Sequence, residues 1–335
     1  MAQVTNTYDT YTSKRGRETL SDVISRLTPS ETPFLSLIGR EKVEGTHPEW
    51  NLDTLATPNA ANKRVQGDIY SYSAISPTSR VGNYTQISMK EFIVSETEEK
   101  VSKAGPKSDY NREMVKRGME LKIDQEVTLL SNQASLPGNS TTAPQLGGLR
   151  AWLATNDLMG ASGVSGGFNT GTGVVDAATN GTQRAFTKAL MDSAIATAYT
   201  AGGNPDILMV SPYLKGVFTS FMADPSVAVQ RTETKPNSQA QIIGAADGYV
   251  SDFGTLDVVP NRQLARAGAA YARNAWLLDK SMLAVGVLRP IQQDKEVAKI
   301  SDALPGVLKT EYTLIVRNEA AQAVIADVFG MTAAS

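Results

Sequence analysis

Apolar positions along this chain switch between helical and strand-like spacing. From Arg17 to Leu27, Leu20, Val23, Ile24 and Leu27 fall on one face of a short amphipathic helix. Thr28-Pro29 stops it. A second short helix follows, with Thr32 as cap, Pro33 at its first position and Gly39 just past its end. Its apolar residues are Phe34, Leu35, Leu37 and Ile38. Two helices this small cannot bury their apolar faces on each other alone. The pattern predicts an arm that lies on something else, either the body of the fold or a neighbouring copy.

The chain then turns extended through His47-Pro48-Glu49-Trp50. Trp50, Leu52 and Thr54 alternate with Asn51, Asp53 and Leu55, and on the return Thr85–Met89 and Glu91–Val94 are rich in strand formers. Residues 56–83 between them are small and polar, with Pro58, Gly67, Pro77 and Gly82. This predicts a long two-stranded hairpin with little burial of its own. An arm of about 15 residues reaches roughly 50 Å. A hairpin of that kind is marginal in water, so another subunit is expected to support it.

Past Pro106 the spacing becomes helical from Ser108 or Asp109 to about Asn132. Val115, Met119, Ile123, Val127 and Leu130 share a face, which is predicted to be buried against a sheet made by the C-terminal strands. Twenty-odd residues give a rod of roughly 35 Å. Residues 133–185 are dominated by Gly, Ser, Thr, Asn and Ala, with Leu149–Leu153 as an ordered island and 162–180 a flexible connection by composition. A helix over Phe186–Thr200, a buried strand over Asp206–Ser211 and a helix from Pro212 to Phe221 predict a compact α/β unit near 185–260. Strand-like runs follow at Leu256–Val259, Ala275–Leu278, Leu283–Leu288, Val307–Asn318 and Ala321–Phe329.

Composition narrows the chemistry. A chain of 335 residues, 41% hydrophobic, supports a sizeable core and roughly two domains. A formal charge of −2 argues against a basic nucleic-acid binder. The first residues lack the apolar core of a signal peptide, and no apolar run approaches the ~20 residues that span a bilayer. With no cysteine and His47 as the one histidine, disulfides, thiolate sites and multi-histidine metal sites drop out, and no cofactor or metal is expected.

One catalytic pattern matches. Gly163-Val-Ser-Gly-Gly167 satisfies G-x-S-x-G, with Ser165 as the would-be nucleophile. A nucleophile elbow needs a strand before it and a helix after it. Neither flank fits, and His47 lies far upstream of Ser165. Gly167–Gly173 lacks the spacing of a phosphate loop. His47 reads as packing at a strand start. Glu96, Glu98, Glu99 and Lys100 read as a solvated charged face or an inter-subunit ion pair, with no calcium-loop signature around them. Lys14, Arg15 and Arg17 form a small basic cluster, for which contacts to DNA and to acidic residues of a neighbour both stay open.

An ordered set of features is shared with one family. Thr28-Pro-Ser-Glu-Thr-Pro-Phe-Leu-Ser-Leu-Ile-Gly39, then Glu49-Trp-Asn-Leu-Asp-Thr-Leu55, resembles the N-terminal arm of tailed-phage major capsid proteins of the Hong Kong 97 type. The likeness continues through Ala104-Gly105, Leu121–Asp124, Asn132-Gln133 and Gly147-Gly-Leu149, and is less diagnostic in the last third. It implies an α+β fold with an N-terminal arm over 1–40 and an extended loop hairpin with peripheral-domain strands over 41–103. A spine helix and its connection would occupy 104–185, an axial α/β domain 186–260, and strands returning to the peripheral domain 261–335. The implied function is a non-enzymatic shell subunit that self-assembles as pentamers and hexamers around double-stranded DNA, which it touches non-specifically. Its partners would be a portal protein, a separate scaffolding protein and a decoration protein, with no membrane. The location would be the virion, after assembly in the host cytoplasm. Residues before the arm are too few for a built-in scaffolding domain. Candidate inter-subunit contacts are Arg15, Arg17, Phe34, Leu37, Trp50, Arg64, Tyr70, Tyr72 and Arg80. The alternatives are an encapsulin-like nanocompartment shell, a serine hydrolase using Ser165, and a tail or adhesin component.

Overall fold

The computed structural model describes residues 28–70, 72–102, 107–221, 247–299 and 301–331. Its organising element is the helix Asp109–Leu129, close to the expected span. The hydroxyl of Ser108 accepts from Asn111 N, and Glu99 Oε2 accepts from Asp109 N at 3.0 Å and Tyr110 N at 3.3 Å. These satisfy orphan donors of the first turn and place negative charge at the positive end of the helix dipole. Glu99 belongs to the short helix Glu96–Lys100, whose Glu96 pairs with Lys299. The acidic cluster is therefore a cap for the long helix as well as a solvated face.

That helix crosses a four-stranded sheet ordered Gly39–Lys42, Leu283–Gln293, Ala303–Val316, Gln86–Ser95, with only the first pair parallel. The face on the sheet differs from the one expected. Leu121, Gln125, Glu126 and Leu129 are buried, whereas Val115 is 57% exposed and Met119, Ile123 and Val127 are half-buried. Gly118 approaches Leu308, and Gln125 Nε2 donates to Thr310 Oγ1 at 3.2 Å, which fixes the contact face on Ala303–Val316. Two polar residues sit in the buried face because each has a partner there. Their polarity hid that face from the hydrophobic periodicity. Of the expected stripe, Leu130 alone is core.

The second sheet has six strands in the order Asp157–Leu158, Ala323–Ile325, Ala275–Leu278, Ile207–Val210, Gly254–Pro260, Gly248–Ser251. Its three central strands are buried throughout, as their unbroken apolar runs require. Alternation sorts their side chains between two cores. Leu208, Val210 and Leu277 meet the helices Lys188–Thr200 and Pro212–Ser220. Ile207, Met209, Trp276 and Leu278 join the core that contains Leu129, Leu314 and Trp152. That shared core couples the two sheets. The last strands thus divide: Leu283–Gln293 and Ala303–Val316 lie under the long helix, but Ala275–Leu278 and Ala323–Ile325 belong to the six-stranded sheet instead.

Residues 162–180 are ordered. Gly167–Asn169 and Val174–Asp176 form a small hairpin with Val175 fully buried. Ser135 holds it, accepting from Val175 N at 2.7 Å through its hydroxyl and donating its own N–H to Val175 O at 2.9 Å. Small residues here serve close packing. A Cβ on Gly160 would lie 1.9 Å from Thr182 O, and one on Gly147 would lie 2.8 Å from the Val175 side chain.

Candidate assembly surfaces

The hairpin has a fixed base and an open tip. Its strands are Glu49–Leu52 and Ser79–Gly82, antiparallel, with Trp50 opposite Val81. The return strand is thus Ser79–Gly82, and the run Gln86–Ser95 pairs with Ala303–Val316 in the four-stranded sheet. Asn83 causes the switch. Its amide donates to Gly147 O and Leu314 O at 3.0 Å and accepts from Gly147 N at 2.7 Å, turning the chain from hairpin to sheet. Trp50 stacks on Trp152 at 5.6 Å and donates from Nε1 to Val316 O at 3.0 Å. His47 stacks on Tyr84 at 4.1 Å, with Nδ1 3.8 Å from Glu49 Oε1, the packing role expected of it.

Beyond the base the chain leaves the body. Leu55 is 98% exposed, Ile69 and Tyr70 87%, Tyr72 93% and Ile75 94%, and Val65 is exposed too. Hydrogen bonds described in this stretch are local, such as Asp68 N to Val65 O and Ala61 N to Asn59 Oδ1. Arg64 pairs with Asp68 at 3.8 Å, and Arg80 with Glu49 at 3.3 Å at the base. Singly exposed apolar residues are ordinary. Here six large ones are exposed together on a single projecting segment.

The short helix Pro33–Leu37 behaves in the opposite way. Phe34 is 0% exposed and Leu35 and Ile38 are buried. Helix termini leave free N–H groups, and here the carboxylate of Glu126 accepts two of them, Phe34 N and Leu35 N, each at 2.8 Å. Asn261 Nδ2 donates to the same carboxylate at 2.7 Å. Burial raises the Glu126 carboxyl above its ordinary range, and the donors from Leu35, Phe34 and Asn261 oppose that. Gly39 opens a strand rather than closing the helix, which Ile38 ends in an extended conformation. Phe34 therefore has no surface left for a neighbour, a correction to its place among the contact candidates. Leu37 is half-buried against the same core. Trp50, partly buried there too, has its ring stacked and its N–H bonded inside the chain. The helix read over 17–27, with Arg15 and Arg17, lies outside the described residues.

Comparison with known proteins settles the family. The model of the SU10 major capsid protein family matches residues 3–329. The chain belongs to that family. The major capsid protein of Escherichia phage Phieco32 is 31% identical over 223 residues, covering 58% of this chain and 63% of that relative. Among solved structures, the cyanophage A-1(L) capsid asymmetric unit superposes with a TM-score of 0.63 at 14% identity, over 93% of this chain and 97% of that one. A chain from Gordonia phage Cozz gives 0.56 at 12% identity, over 94% and 92%. The fold is the Hong Kong 97-type capsid fold, and the long helix is its spine.

In this capsid-family chain the G-x-S-x-G match has no elbow. Ser165 sits in a loop between Asp157–Leu158 and Gly167–Asn169, with a strand after it where a helix is required. No group of three His, Asp or Glu that could hold a metal occurs among the described residues, and no described helix is long and apolar enough to cross a membrane. The pattern reading missed the buried polar clamps. Arg150 and Asp157 form an ion pair at 2.6 Å with both side chains out of solvent, and burial raises the Asp157 carboxyl against the pull of Arg150. Asp327, fully buried at φ 59°, accepts from Gly181 N at 2.8 Å and ties the loop to the C-terminal strand. A charged residue inside an apolar stretch, such as Arg150 in Leu-Arg-Ala-Trp-Leu, was the available signal.

Proposed function

We propose that the chain is the shell-forming subunit of a tailed-phage head, closing with copies of itself into pentamers and hexamers around double-stranded DNA. The observation that carries this reading is the hairpin: a fixed base and a tip whose large apolar residues have no cover among the described residues. Such a tip gains stability only by burying itself on a neighbour. A heterologous contact of this kind, repeated around a ring, closes a shell. Weak contacts repeated over many copies allow errors to anneal. Arg64, Tyr70, Tyr72 and Arg80, all exposed, are the residues we assign to that contact.

We read the four-stranded sheet and spine as a peripheral domain. The described residues of 186–260, namely 186–221 and 247–260, form the heart of an axial domain in this reading, completed by Ala275–Leu278 and Ala323–Ile325. The subunit acts by shape and carries no catalytic role in this reading. DNA contact would be non-specific, consistent with the small net charge of −2. A portal, a separate scaffold and a decoration protein would complete the particle in the host cytoplasm.

Electron microscopy of the expressed chain tests the proposal. Closed shells of uniform size are expected, and fibres or tubes would contradict it. Particles filled with a cargo enzyme in place of DNA would favour a nanocompartment. Hydrolytic turnover that Ser165→Ala abolishes would favour an enzyme.

A further inference from the structure

The two edges of the four-stranded sheet are built differently. One edge is Gly39–Lys42, four residues long with Arg40 and Lys42 exposed, the short charged form that discourages pairing. The other is Gln86–Ser95, ten residues long, with Ile87, Met89, Glu91 and Ile93 exposed in alternation. Hydrogen bonds at the strand ends fix which way its backbone points. Asp294 N donates to Val307 O and Arg317 N to Met282 O, both at 2.9 Å, so the odd residues of Ala303–Val316 face Leu283–Gln293. The even ones face Gln86–Ser95, and Glu96 N donating to Asp302 O continues that ladder. The N–H and C=O groups of Ile87, Met89, Glu91 and Ile93 therefore point away from the sheet, with no backbone partner among the described residues. Thr85 N, the outward group just before them, is taken by Thr46 O at 2.8 Å. Beside the start of the strand lies a hollow of about 560 Å³ lined by Gln86, Ser88, Met89, Arg266 and Tyr271.

We propose that Gln86–Ser95 pairs with the same strand of a second copy, antiparallel about a twofold axis at Lys90. Such an addition extends the sheet and satisfies the outward N–H and C=O groups of Ile87, Met89, Glu91 and Ile93 on both strands. With the axis at Lys90, Ile87 lies opposite Ile93 of the second copy, and Met89 opposite its Glu91. Neighbouring registers are worse. An axis at Met89 sets Ile93 against Thr85, whose N–H is already held by Thr46. An axis at Glu91 sets two carboxylates face to face. At the chosen axis each Lys90 is tied to Asp124 of its own chain at 2.6 Å, so the two like charges are compensated. The strand of a second copy is favoured over a hairpin tip because it is already extended and needs no ordering. An isologous pair also closes on itself, using both open edges and leaving no template for further growth. The inference rests on the self-assembly reading for its second copy, and it assigns a contact separate from the hairpin tip.

The chain has no cysteine, so introduced thiols report the register. The full-chain variant Ile87→Cys/Ile93→Cys is oxidised as soluble subunits and as particles, with Ile87→Cys and Ile93→Cys singly as controls. Directly opposed residues sit about 5.5 Å apart, within disulfide reach, whereas positions 87 and 93 of one strand lie about 20 Å apart. The expected result is a two-chain species in which the peptide carrying position 87 is linked to that carrying position 93 of the other chain. It should form several-fold faster than dimers of either control. Links of 87 to 87 or of 93 to 93, or equal rates in pair and controls, would show another register or random collision and overturn the proposal. So would absence of the link in both states. A bridge between chains in a Tyr72→Cys/Met89→Cys variant would put the hairpin tip on this edge and overturn it too. Electron microscopy of the same samples reads the shell separately. Shells without the link overturn the pairing alone; the link without shells upholds the pairing and overturns the shell reading.

Discussion

Phe34–Ile38 and the hairpin tip around Tyr70 share one expectation, that neither segment can support itself and each needs something outside it. They end in opposite places. The short helix is closed over by its own chain: its core side chains are buried and its first N–H groups terminate on Glu126. The tip has Tyr72 93% exposed and local hydrogen bonds. Both segments carry large apolar residues. What separates them is whether the body offers a polar group for the backbone as well as a cavity for the side chains. A segment that has both is part of the fold, and a segment with neither is an offer to a partner.

Mutations can break that contrast. Phe34→Ala should cost the isolated subunit about 3–5 kcal/mol, because a fully buried ring leaves a cavity behind. Denaturant unfolding of the subunit reads it, and an unchanged midpoint would return Phe34 to the interface. Glu126→Ala should cost about 2–4 kcal/mol, since two buried N–H groups and the Asn261 amide lose their acceptor. Hydrogen exchange should then rise first at Phe34 and Leu35.

The same carboxylate sharpens the comparison by pH. Burial raises its folded pKa above the ordinary 4.5, so the folded state holds the proton more tightly than the unfolded chain does. Its contribution to stability is full below the ordinary value and is lost as pH rises through the folded one. Stability of the native subunit relative to Glu126→Gln should therefore decline as pH rises from 4.5 and level off once the folded pKa is passed. A difference independent of pH across that window would remove Glu126 as a buried acid. At the small end, Tyr70→Ser/Tyr72→Ser should shift subunit stability by less than about 0.5 kcal/mol, as for exposed sites generally. Light scattering should nonetheless show loss of assembly. A stability loss with normal particles would mean that the tip folds back on its own chain.

Much of this was legible in the residues. The long helix, the strand before Pro212 and the outgoing strand of the hairpin stand at or near the expected positions. The order of motifs named the capsid family before any fold was seen. Side-chain partners were not legible. Periodicity assigned the buried face of the spine to Val115, Met119, Ile123 and Val127 because it cannot recognise Gln125 and Glu126 as satisfied core residues. Composition misread the glycine-rich stretch 162–180 as flexible, since close backbone packing and free chain use the same small residues. The return strand was displaced because one buried amide, Asn83, turns the chain, and nothing local marks which asparagine is buried.

Hydrogen exchange across residues 56–70 and 72–78, compared between the free subunit and the assembled particle, tests the contrast most directly. The open tip predicts fast exchange in the subunit and strong protection in the particle, while Glu49–Leu52 and Ser79–Gly82 stay protected in both. Equal protection of the tip in the two states would contradict its role as the element a neighbour completes.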